Sequence, residues 1–427
     1  MSQKWIFDYA IALIGVEPFT GGTLPRAYEA IGIDVIEESH ELKARIKKFE
    51  DITRECKRIG LNKELHAKEA ESCGHRVTAR DNYFAAAAMY GCARWPIWND
   101  DDPALLELST KIHDSYQKYS ALSDHRIERI EVPFEGKTLY GYFHLPPDQV
   151  LPASDISSDV SVDQNREKTS APYPCVVTIP GMDTFKEEIV RLYSDKFLQR
   201  GFAVLAVDGP GQGETLARGL KLTKDNYDRA GKAMMDFIIN FHPTNGEVIN
   251  TKKIGIFAAS FGTYWGPRIM AYDPRYFAGT FSNICHEPHM KTIFNGTLPS
   301  FKARHMYMTG IYEEEEFDIK YCSALTLDGV GEKISNNRPI FIAAGATDPL
   351  SPIQYTYDFF NKIASPNKQL LVYEGEEHRI SDPLLPSRIG DFMEDALNNR
   401  KVESGAYFLE RGTGWKSLKS IAPNAIS

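Results

Sequence analysis

The residues that could carry chemistry begin with a serine in a turn of small residues. Ser260 follows the apolar run Ile254–Phe257 and lies in the segment Ala258-Ala-Ser-Phe-Gly262, ahead of a stretch compatible with a helix. A strained turn from strand to helix can lift a serine hydroxyl clear of a sheet, and small neighbours make that turn sterically feasible. The commonest pattern has glycine two positions before the serine, where this chain has Ala258. Without a base and an acid elsewhere in the chain, a structural serine explains the segment equally well.

An aspartate and a histidine occur later in the chain, each after its own apolar run. Asp348 follows the run Ile340–Ala344, and His378 follows the run Gln369–Tyr373. The carboxyl ends of parallel strands meet at one edge of a sheet, and the order Ser, Asp, His is one in which such sheets supply a catalytic triad. We therefore predict that Ser260 attacks, that His378 takes and returns the proton, and that Asp348 orients and stabilises the imidazole.

A triad of this kind also needs hydrogen-bond donors for the negatively charged oxygen of its intermediate. The backbone N–H of Phe261, directly after the serine, is the first expected donor. The second is expected after the run Cys175–Ile179, where Gly181 permits a close turn and the Met182 N–H is the best candidate. The alternative interpretation of this second segment is a plain turn from strand to helix.

A glycine-rich segment raises the question of a nucleotide site. Asp208-Gly-Pro-Gly-Gln-Gly-Glu214 matches neither the G-x-G-x-x-G fingerprint nor a P-loop with its lysine, so we predict no nucleotide cofactor. The six cysteines are scattered without a C-x-x-C pair, which favours reduced buried thiols and no metal site. The sequence therefore predicts chemistry without a cofactor or a metal.

The elements that must position these residues change in character along the chain. Residues 1 to about 125 are predicted to be mostly helical, because apolar residues recur at helical spacing in three segments, Glu37–Gly60, Arg80–Arg94 and Pro103–Tyr119. Two alternating segments then predict antiparallel strands, Ile127–Phe134 and Lys137–Leu145. A polar stretch from Asp148 to Ser170 is predicted to be a loop.

Short runs that are apolar throughout follow, separated by helical segments such as Asp225–Phe241 and Pro383–Leu397. Runs of this kind are typical of parallel strands that are buried on both faces, and their alternation with helices predicts a doubly wound, mostly parallel α/β sheet. Together with the serine turn and the order Ser, Asp, His, this sheet is expected to have the α/β-hydrolase fold. The predicted strands are Cys175–Ile179, Phe202–Val207, Ile254–Phe257, Ile340–Ala344 and Gln369–Tyr373.

The interval from Cys285 to Asn337 is too long for a single crossover, and we interpret it as an inserted cap whose run Glu313–Glu316 is a solvated helix face. The predicted organisation has four parts. They are a helical N-terminal or lid domain (1–125), an α/β-hydrolase core (126–284 and 338–400), the inserted cap (285–337) and a C-terminal tail (401–427).

Composition restricts the partners. The chain has 427 residues and a formal charge of −9, without a basic stripe, which argues against a nucleic-acid partner. The apolar segment Trp5–Val16 is interrupted by Asp8 and is interpreted as a packed helix instead of a signal peptide. No stretch is long and apolar enough to span a bilayer, so we expect no membrane partner and a cytoplasmic protein.

Several of these segments resemble a known group of enzymes. The segment Asp208–Glu214, with Gly181 and Lys186-Glu187 before it and the serine turn after it, resembles the α/β-hydrolases related to 2,6-dihydroxypseudooxynicotine hydrolase. Fungal heptaketide hydrolases of the yellowish-green pigment type and hydrolases of fungal polyketide and cytochalasan pathways are similar too. The resemblance covers roughly Glu71 to Gly414, and the D-G-P-G-Q-G-E segment is its most specific part.

This resemblance implies a helical N-terminal unit that helps to cover the site and often takes part in a homodimer. It also implies a Ser-His-Asp triad able to cleave a carbon–carbon bond next to a ketone, as well as esters. The first hypothesis is therefore a serine hydrolase of secondary metabolism that acts on a polyketide-like β-dicarbonyl compound. The second is an ester or thioester hydrolase, or an acyl-transfer or lactone-forming enzyme with the same triad. A non-catalytic protein that binds small molecules is the third.

Overall fold

The structure is a computed structural model that describes residues 4–16, 23–32, 36–147, 172–244, 246, 248–335, 337–410 and 414–417. The predicted loop from Asp148 to Ser170 lies outside these residues. Among the described helices, none combines the length and the apolar character that crossing a membrane requires. All six cysteines are free thiols, and five of them are buried.

Helices form the first part of the chain. The Ala-rich α5 is buried along most of its length. It packs closely on α4, since a Cβ at Gly60 would lie 2.7 Å from the Tyr90 ring. The helices are α1 (Lys4–Ile14), α2 (Thr23–Ile31), α3 (Ile36–Arg45), α4 (Asp51–Ser72), α5 (Arg76–Arg94) and α6 (Pro103–Leu122).

The predicted periodic segment Glu37–Gly60 is not one helix. The chain leaves the helix after Arg45 and re-enters at Asp51, whose carboxylate accepts the backbone N–H groups of Lys47 and Lys48, both at 2.9 Å. A short side chain with an acceptor oxygen competes with the helical backbone for these donors, and this explains the interruption.

A mixed sheet of ten described strands forms the centre of the molecule, in the order β1-β2-β4-β3-β5-β6-β7-β8-β9-β10. The pairs from β4 to β9 are parallel, whereas β1–β2, β2–β4 and β9–β10 are antiparallel. The strands are β1 (Ile127–Phe134), β2 (Lys137–His144), β3 (Tyr173–Ile179), β4 (Ala203–Asp208), β5 (Ile249–Ser260), β6 (Ala278–Ile284), β7 (Ile340–Gly345), β8 (Lys368–Tyr373), β9 (Gly405–Glu410) and β10 (Gly414–Ser417).

Hydrophobic layers cover both faces of this sheet. Val176 and Val177 are adjacent in β3 but belong to different clusters, because successive side chains of a strand point to opposite faces. Val177 packs in the layer that contains α10 and α11, and Val176 packs in the layer that contains α16. The helices that follow β3 are α7 (Lys186–Ile189), α8 (Asp195–Leu198), α9 (Gly213–Ala217), α10 (Asn226–Asn240), α11 (Gly262–Tyr272), α12 (Lys291–Asn295), α13 (Pro299–Thr309), α14 (Glu314–Lys320), α15 (Ile353–Lys362) and α16 (Leu385–Leu397).

The predicted doubly wound, mostly parallel sheet is confirmed, as are the two predicted helices that correspond to α10 and α16. Three strands were not predicted. Strand β6 is fully buried yet contains Gly279, Thr280, Ser282 and Asn283, so its sequence lacks an apolar run. Strands β9 and β10 lie in the segment predicted to be a C-terminal tail, 401–427, and extend the edge of the sheet beyond β8.

Candidate active site

Ser260 ends β5 in a strained turn. Its φ is +54°, in the left-handed region that side chains other than glycine rarely adopt. Gly262 makes the turn feasible, because a Cβ there would lie 2.3 Å from the Ile179 carbonyl oxygen. Ala258 is accommodated in place of the more common glycine, fully buried against Gly266 of α11, whose own Cβ would lie 3.0 Å away. The turn therefore presents the serine hydroxyl between the strand and the helix.

The structure brings Ser260, His378 and Asp348 together in one line of hydrogen bonds. The distance from Ser260 Oγ to His378 Nε2 is 2.9 Å, and the distance from His378 Nδ1 to Asp348 Oδ2 is 2.8 Å. The Asp348 side chain is 4% exposed and that of His378 is 17% exposed. A buried carboxylate on one imidazole nitrogen directs the other nitrogen to accept the serine proton.

The loops that carry Asp348 and His378 are tied to each other. Gly345, at the end of β7, allows close approach, since a Cβ there would lie 2.0 Å from the Glu377 carbonyl oxygen. Thr347 donates twice to the Glu376 carbonyl, through its N–H and its hydroxyl, both at 3.0 Å. The remaining oxygen of Asp348 accepts the N–H of Leu350 at 2.7 Å. These contacts with the backbone hold Asp348 and His378 at fixed positions relative to each other.

The loop after β3 packs directly on the serine. A Cβ at Gly181 would lie 2.8 Å from Ser260 Cβ and 3.2 Å from its Oγ, so only glycine leaves room at this position. Met182 follows and is buried. Phe261 is the N-cap residue of α11, with helical φ and ψ. The residues predicted to supply both oxyanion donors therefore flank the serine on two sides.

The glycine-rich segment predicted not to bind nucleotide braces this loop. The side-chain amide of Gln212 donates to the carbonyls of Gly181 and Pro180 at 2.7 and 2.9 Å. Its oxygen accepts the Gly209 N–H at 3.1 Å and the Tyr227 hydroxyl at 2.5 Å. The bonds to Gly209 and Tyr227 hold the Gln212 amide in place, and its bonds to Pro180 and Gly181 fix the backbone beside Ser260.

A buried group of charges lies immediately behind the brace. The Lys186 ammonium is 1% exposed and contacts three carboxylates, Glu187 at 2.7 Å and Asp208 and Glu214 at 3.1 Å each. Arg129 binds Glu214 in a bidentate pair, at 2.8 and 3.2 Å. Burial opposes ionisation of Glu214, but the two cations outweigh it and hold its pKa well below the usual range.

Gly213 shows how tightly this group is built. Its φ is +44°, and a Cβ there would lie 2.1 Å from Asp208 Oδ2, which instead accepts the Glu214 N–H at 2.8 Å. Asp208 Oδ1 accepts the Lys186 N–H at 2.8 Å. The D-G-P-G-Q-G-E segment is therefore a positioning device in this structure, and its glycine serves a close backbone approach.

Sequence reasoning missed two residues at the site. Asp183 follows Met182, and its carboxylate accepts the Trp95 indole N–H at 2.8 Å, which joins the end of α5 to the loop beside the serine. Burial raises the pKa of Asp183. Trp95 and Asp183 are 88 residues apart in sequence, so no local pattern pairs them.

The predicted cap region also contacts Phe261, in the turn that carries Ser260. The His305 ring of α13 lies 4.3 Å from the ring centre of Phe261, and Phe294 packs on both. From the N-terminal helices, Glu29 of α2 pairs with Arg379, the neighbour of His378. Both regions thus contact residues adjacent to the triad.

A mostly parallel sheet with a strained serine turn at the end of β5, and with Asp348 and His378 on the loops after β7 and β8, defines an enzyme of the α/β-hydrolase class. Within that class the chain belongs to the family described as esterase FrsA-like, which residues 55–308 match. The predicted resemblance to α/β-hydrolases of this kind is confirmed.

Curated relatives are similar over part of their length. The α/β hydrolase xenA of Xenoacremonium sinensis is 27% identical over 211 residues, which cover 49% of this chain and 45% of that protein. The α/β hydrolase ucsC of Acremonium sp is 28% identical over 284 residues, 64% of this chain and 52% of that protein. The chain thus spans about half the length of the curated relatives it matches.

Two solved structures share the fold. The 2,6-dihydroxy-pseudo-oxynicotine hydrolase superposes with a TM-score of 0.70 at 21% identity, covering 90% of this chain and 97% of that one. Wild-type AbyA5 superposes with a TM-score of 0.62 at 16% identity, covering 88% of this chain and 98% of that one. At these identities the likeness establishes the architecture.

Proposed function

We propose that the chain is a serine hydrolase in which Ser260 is the nucleophile, His378 the general base and acid, and Asp348 the orienting carboxylate. The observation that carries the proposal is the line of hydrogen bonds from Ser260 Oγ through the imidazole to Asp348, at 2.9 and 2.8 Å. The positive φ of Ser260 supports it, because strain of this kind persists where function requires it.

The oxyanion of the tetrahedral intermediate is bound, in this proposal, by the N–H groups of Phe261 and Met182. The close packing of Gly181 on Ser260 supports this assignment, since it brings the loop that carries Met182 within reach of the reacting carbonyl. The Gln212 brace fixes that loop before substrate arrives, and donors fixed in advance need no reorganisation during the reaction.

The proposed substrate is a polyketide-like β-dicarbonyl compound. Ser260 adds to one carbonyl while His378 takes its proton, and the adjacent carbon–carbon bond then breaks. The electron pair leaves as an enolate, which the second carbonyl stabilises and which the imidazolium protonates at carbon. Water, deprotonated by His378, releases the acyl-enzyme as a carboxylic acid. The proposed substrate class rests on the resemblance carried by the segment Asp208–Glu214.

Ester hydrolysis is the second candidate, and the family description, esterase FrsA-like, favours it. The same acyl-enzyme would form, with an alkoxide or a thiolate as the leaving group. An internal hydroxyl or amine that intercepts this acyl-enzyme would give acyl transfer or a lactone instead of hydrolysis. Access of water to the acyl-enzyme decides among these fates.

The discriminating experiment offers the protein two substrates, 1-phenyl-1,3-butanedione and p-nitrophenyl butyrate, and identifies the products by mass spectrometry. Carbon–carbon cleavage is expected to give a carboxylic acid and a ketone in equal amounts, and to require Ser260. Turnover of the ester alone, with that diketone and acyl naphthopyrones untouched, would assign the chain to the second candidate. Turnover of neither substrate would contradict both candidates.

The organisation of the chain follows from the same proposal. Residues 1–125 act as a lid and 285–337 as a cap, and the contacts of Glu29 and His305 beside the triad support both roles. We also propose a cytoplasmic homodimer active in fungal secondary metabolism. Light scattering of the purified chain tests the dimer, and a monomeric mass would remove that part of the proposal.

A further inference from the structure

A pocket lies beside the proposed oxyanion loop. Its interior volume is about 20 Å³, roughly the room that one water molecule needs, and it is lined by the loop residues Met182–Phe185, the end of α5, parts of α6 and α9, and α13. Gly181, which directly precedes the lining residues Met182–Phe185, packs on Ser260. This side of the pocket therefore lies next to the proposed nucleophile. The pocket is large enough to receive a single polar group of the substrate, such as one oxygen.

Two buried arginines line this pocket. Arg94, at the end of α5, and Arg304, in α13, are 6% and 7% exposed. Within the described part of the chain, neither guanidinium forms an ion pair with a carboxylate. Arg94 donates to Ser109 Oγ at 3.2 Å, and Arg304 donates to the Trp95 carbonyl at 3.4 Å. The Arg304 Nε is buried and has no hydrogen-bond acceptor among the described residues.

Charge in the pocket is unbalanced. Asp183 is the one carboxylate among its lining residues, and that carboxylate already accepts the Trp95 indole N–H. Burial, together with a smaller effect of the nearby Arg94, lowers the pKa of Arg304 to about 10, although Asp183 acts in the opposite direction. A guanidinium with this pKa still carries its charge at neutral pH, so two cations and one carboxyl group line the pocket, with Glu187 and Glu188 within electrostatic reach of Arg94.

Such an arrangement is costly unless something compensates it. Removing an ion from water costs several kcal/mol, and the Lys186 group shows that this chain meets the cost elsewhere with three carboxylates. The Tyr307 ring lies 5.5 Å from the Arg304 guanidinium, but it offers no acceptor to the unpaired Nε. A bound anion would supply both the missing charge and the missing acceptor.

We propose that Arg94 and Arg304 bind a negatively charged oxygen of the substrate beside the carbonyl that Ser260 attacks. This inference rests on the proposed function, which it deepens, because the second oxygen of a β-dicarbonyl compound becomes negative as the carbon–carbon bond breaks. Two sources of such an oxygen share the same chemistry, an ionised β-dicarbonyl group and a carboxylate. Arginine suits both, since its planar fork of N–H groups donates two parallel bonds to them.

The test measures binding to Ser260→Ala by calorimetry, so that it does not depend on turnover. The probes share a six-membered ring: 5,5-dimethylcyclohexane-1,3-dione, which is ionised at neutral pH, cyclohexanecarboxylate, and neutral cyclohexanone. At least one anion is expected to bind about tenfold or more tightly than the ketone. The anion that binds with the lower Kd shows whether the oxygen comes from an ionised β-dicarbonyl group or from a carboxylate.

The double variant Ser260→Ala/Arg304→Met is expected to weaken anion binding about ten- to a hundredfold and to leave ketone binding unchanged. Arg400→Met is the matched control, because Arg400 is exposed and pairs with Glu394 and Asp395. Arg94→Met should repeat the loss if Arg304→Met fails to fold.

Equal binding of the ketone and the anions, binding of no probe, or unchanged anion affinity in the arginine variants would overturn the subsite. Failure of the proposed function has a different signature. In that case the wild type turns over neither diketone nor ester, while the anions still bind to Ser260→Ala in a manner that depends on Arg304.

Discussion

Two groups of buried charge flank the segment that carries Met182, and they differ in balance. Around Lys186, one ammonium meets three carboxylates, and Arg129 completes the set with a bidentate pair to Glu214. Around Arg304, two guanidinium groups face one carboxylate that is already engaged with Trp95. Both groups are removed from water, so burial alone does not separate them.

The difference in balance separates structure from ligand binding. A closed set of charges stabilises a fixed backbone, and the Lys186 group lies directly behind the Gln212 brace of the oxyanion loop. An open set of charges, in which the cations outnumber the carboxylates, keeps a defined shape only at a cost in folding free energy. A bound anion can offset that cost. The most specific motif of the sequence, Asp208–Glu214, therefore belongs to the scaffold. The two arginines proposed to bind an anion, Arg94 and Arg304, lie in no recognisable motif.

The largest effect on activity is expected from substitutions in the proposed triad. Ser260→Ala should lower kcat about a thousandfold or more, and His378→Ala should be comparably damaging, because residues of a triad act as a unit. The melting temperature should change by only a few degrees. Steady-state kinetics and thermal unfolding measure both, with the exposed Ser323→Ala as control. Activity that survives in Ser260→Ala would rule out the covalent route.

The next largest effect is expected in the closed group. Lys186→Met should lower the free energy of unfolding by about 3–5 kcal/mol, because three buried carboxylates lose their common cation. Denaturant titration measures this loss. Lys232→Met is the matched control, since that lysine pairs with Asp236 at the surface and should contribute less than about 1 kcal/mol. Similar losses for both variants would remove the structural role of the Lys186 group.

A pH dependence is expected from Glu188, a buried acid next to the closed group whose carboxylate lies 3.9 Å from the Arg26 guanidinium. Among the described residues this carboxylate has no hydrogen-bond partner, and burial raises its pKa from 4.5 to about 8 although Arg26 acts in the opposite direction. Between these values the unfolded chain ionises Glu188 while the folded chain keeps it protonated, so stability is lost as pH rises, by up to about 1.4 kcal/mol per pH unit.

Glu188→Gln removes this titration. The stability of the variant relative to the wild type should therefore rise between pH 5 and pH 8, as measured by thermal unfolding across that range. The exposed Glu315→Gln should show no such trend. A constant difference between Glu188→Gln and wild type would show that Glu188 is ionised in the folded protein.

The smallest effect on stability is expected in the open group. Arg304→Met should leave the free energy of unfolding unchanged or raise it by about 1 kcal/mol, because an apolar side chain of similar length removes an uncompensated buried charge. The difference between Arg304→Met and Lys186→Met in free energy of unfolding is the most direct test of the contrast between the open and the closed group. A loss as large as that of Lys186→Met would place Arg304 in the scaffold.

The sequence predicted the features that depend on local patterns. The strands beside Ser260, Asp348 and His378 could be recognised because each contains a short apolar run that ends in a turn, and the chain order of the three residues agreed with one sheet edge. The structure places their side chains in a single line of hydrogen bonds. Their roles in catalysis stay predictions until they are tested.

Other features depend on contacts between distant parts of the chain. Strand β6 is buried between two strands although four of its seven residues are Gly, Thr, Ser or Asn, so its neighbours and not its own hydrophobicity keep it in the sheet. Asp183 and Trp95 meet across 88 residues, and Arg94 and Arg304 across more than that. No spacing in a single sequence reveals such pairs.

The central claim is that the Ser260 hydroxyl is a nucleophile. Treatment of the folded protein with a fluorophosphonate, followed by peptide mass spectrometry, tests it most directly. The account predicts one adduct on Ser260 in the wild type, none in Ser260→Ala, and slow labelling in His378→Ala. An unlabelled wild type, or an adduct that persists in Ser260→Ala, would contradict it.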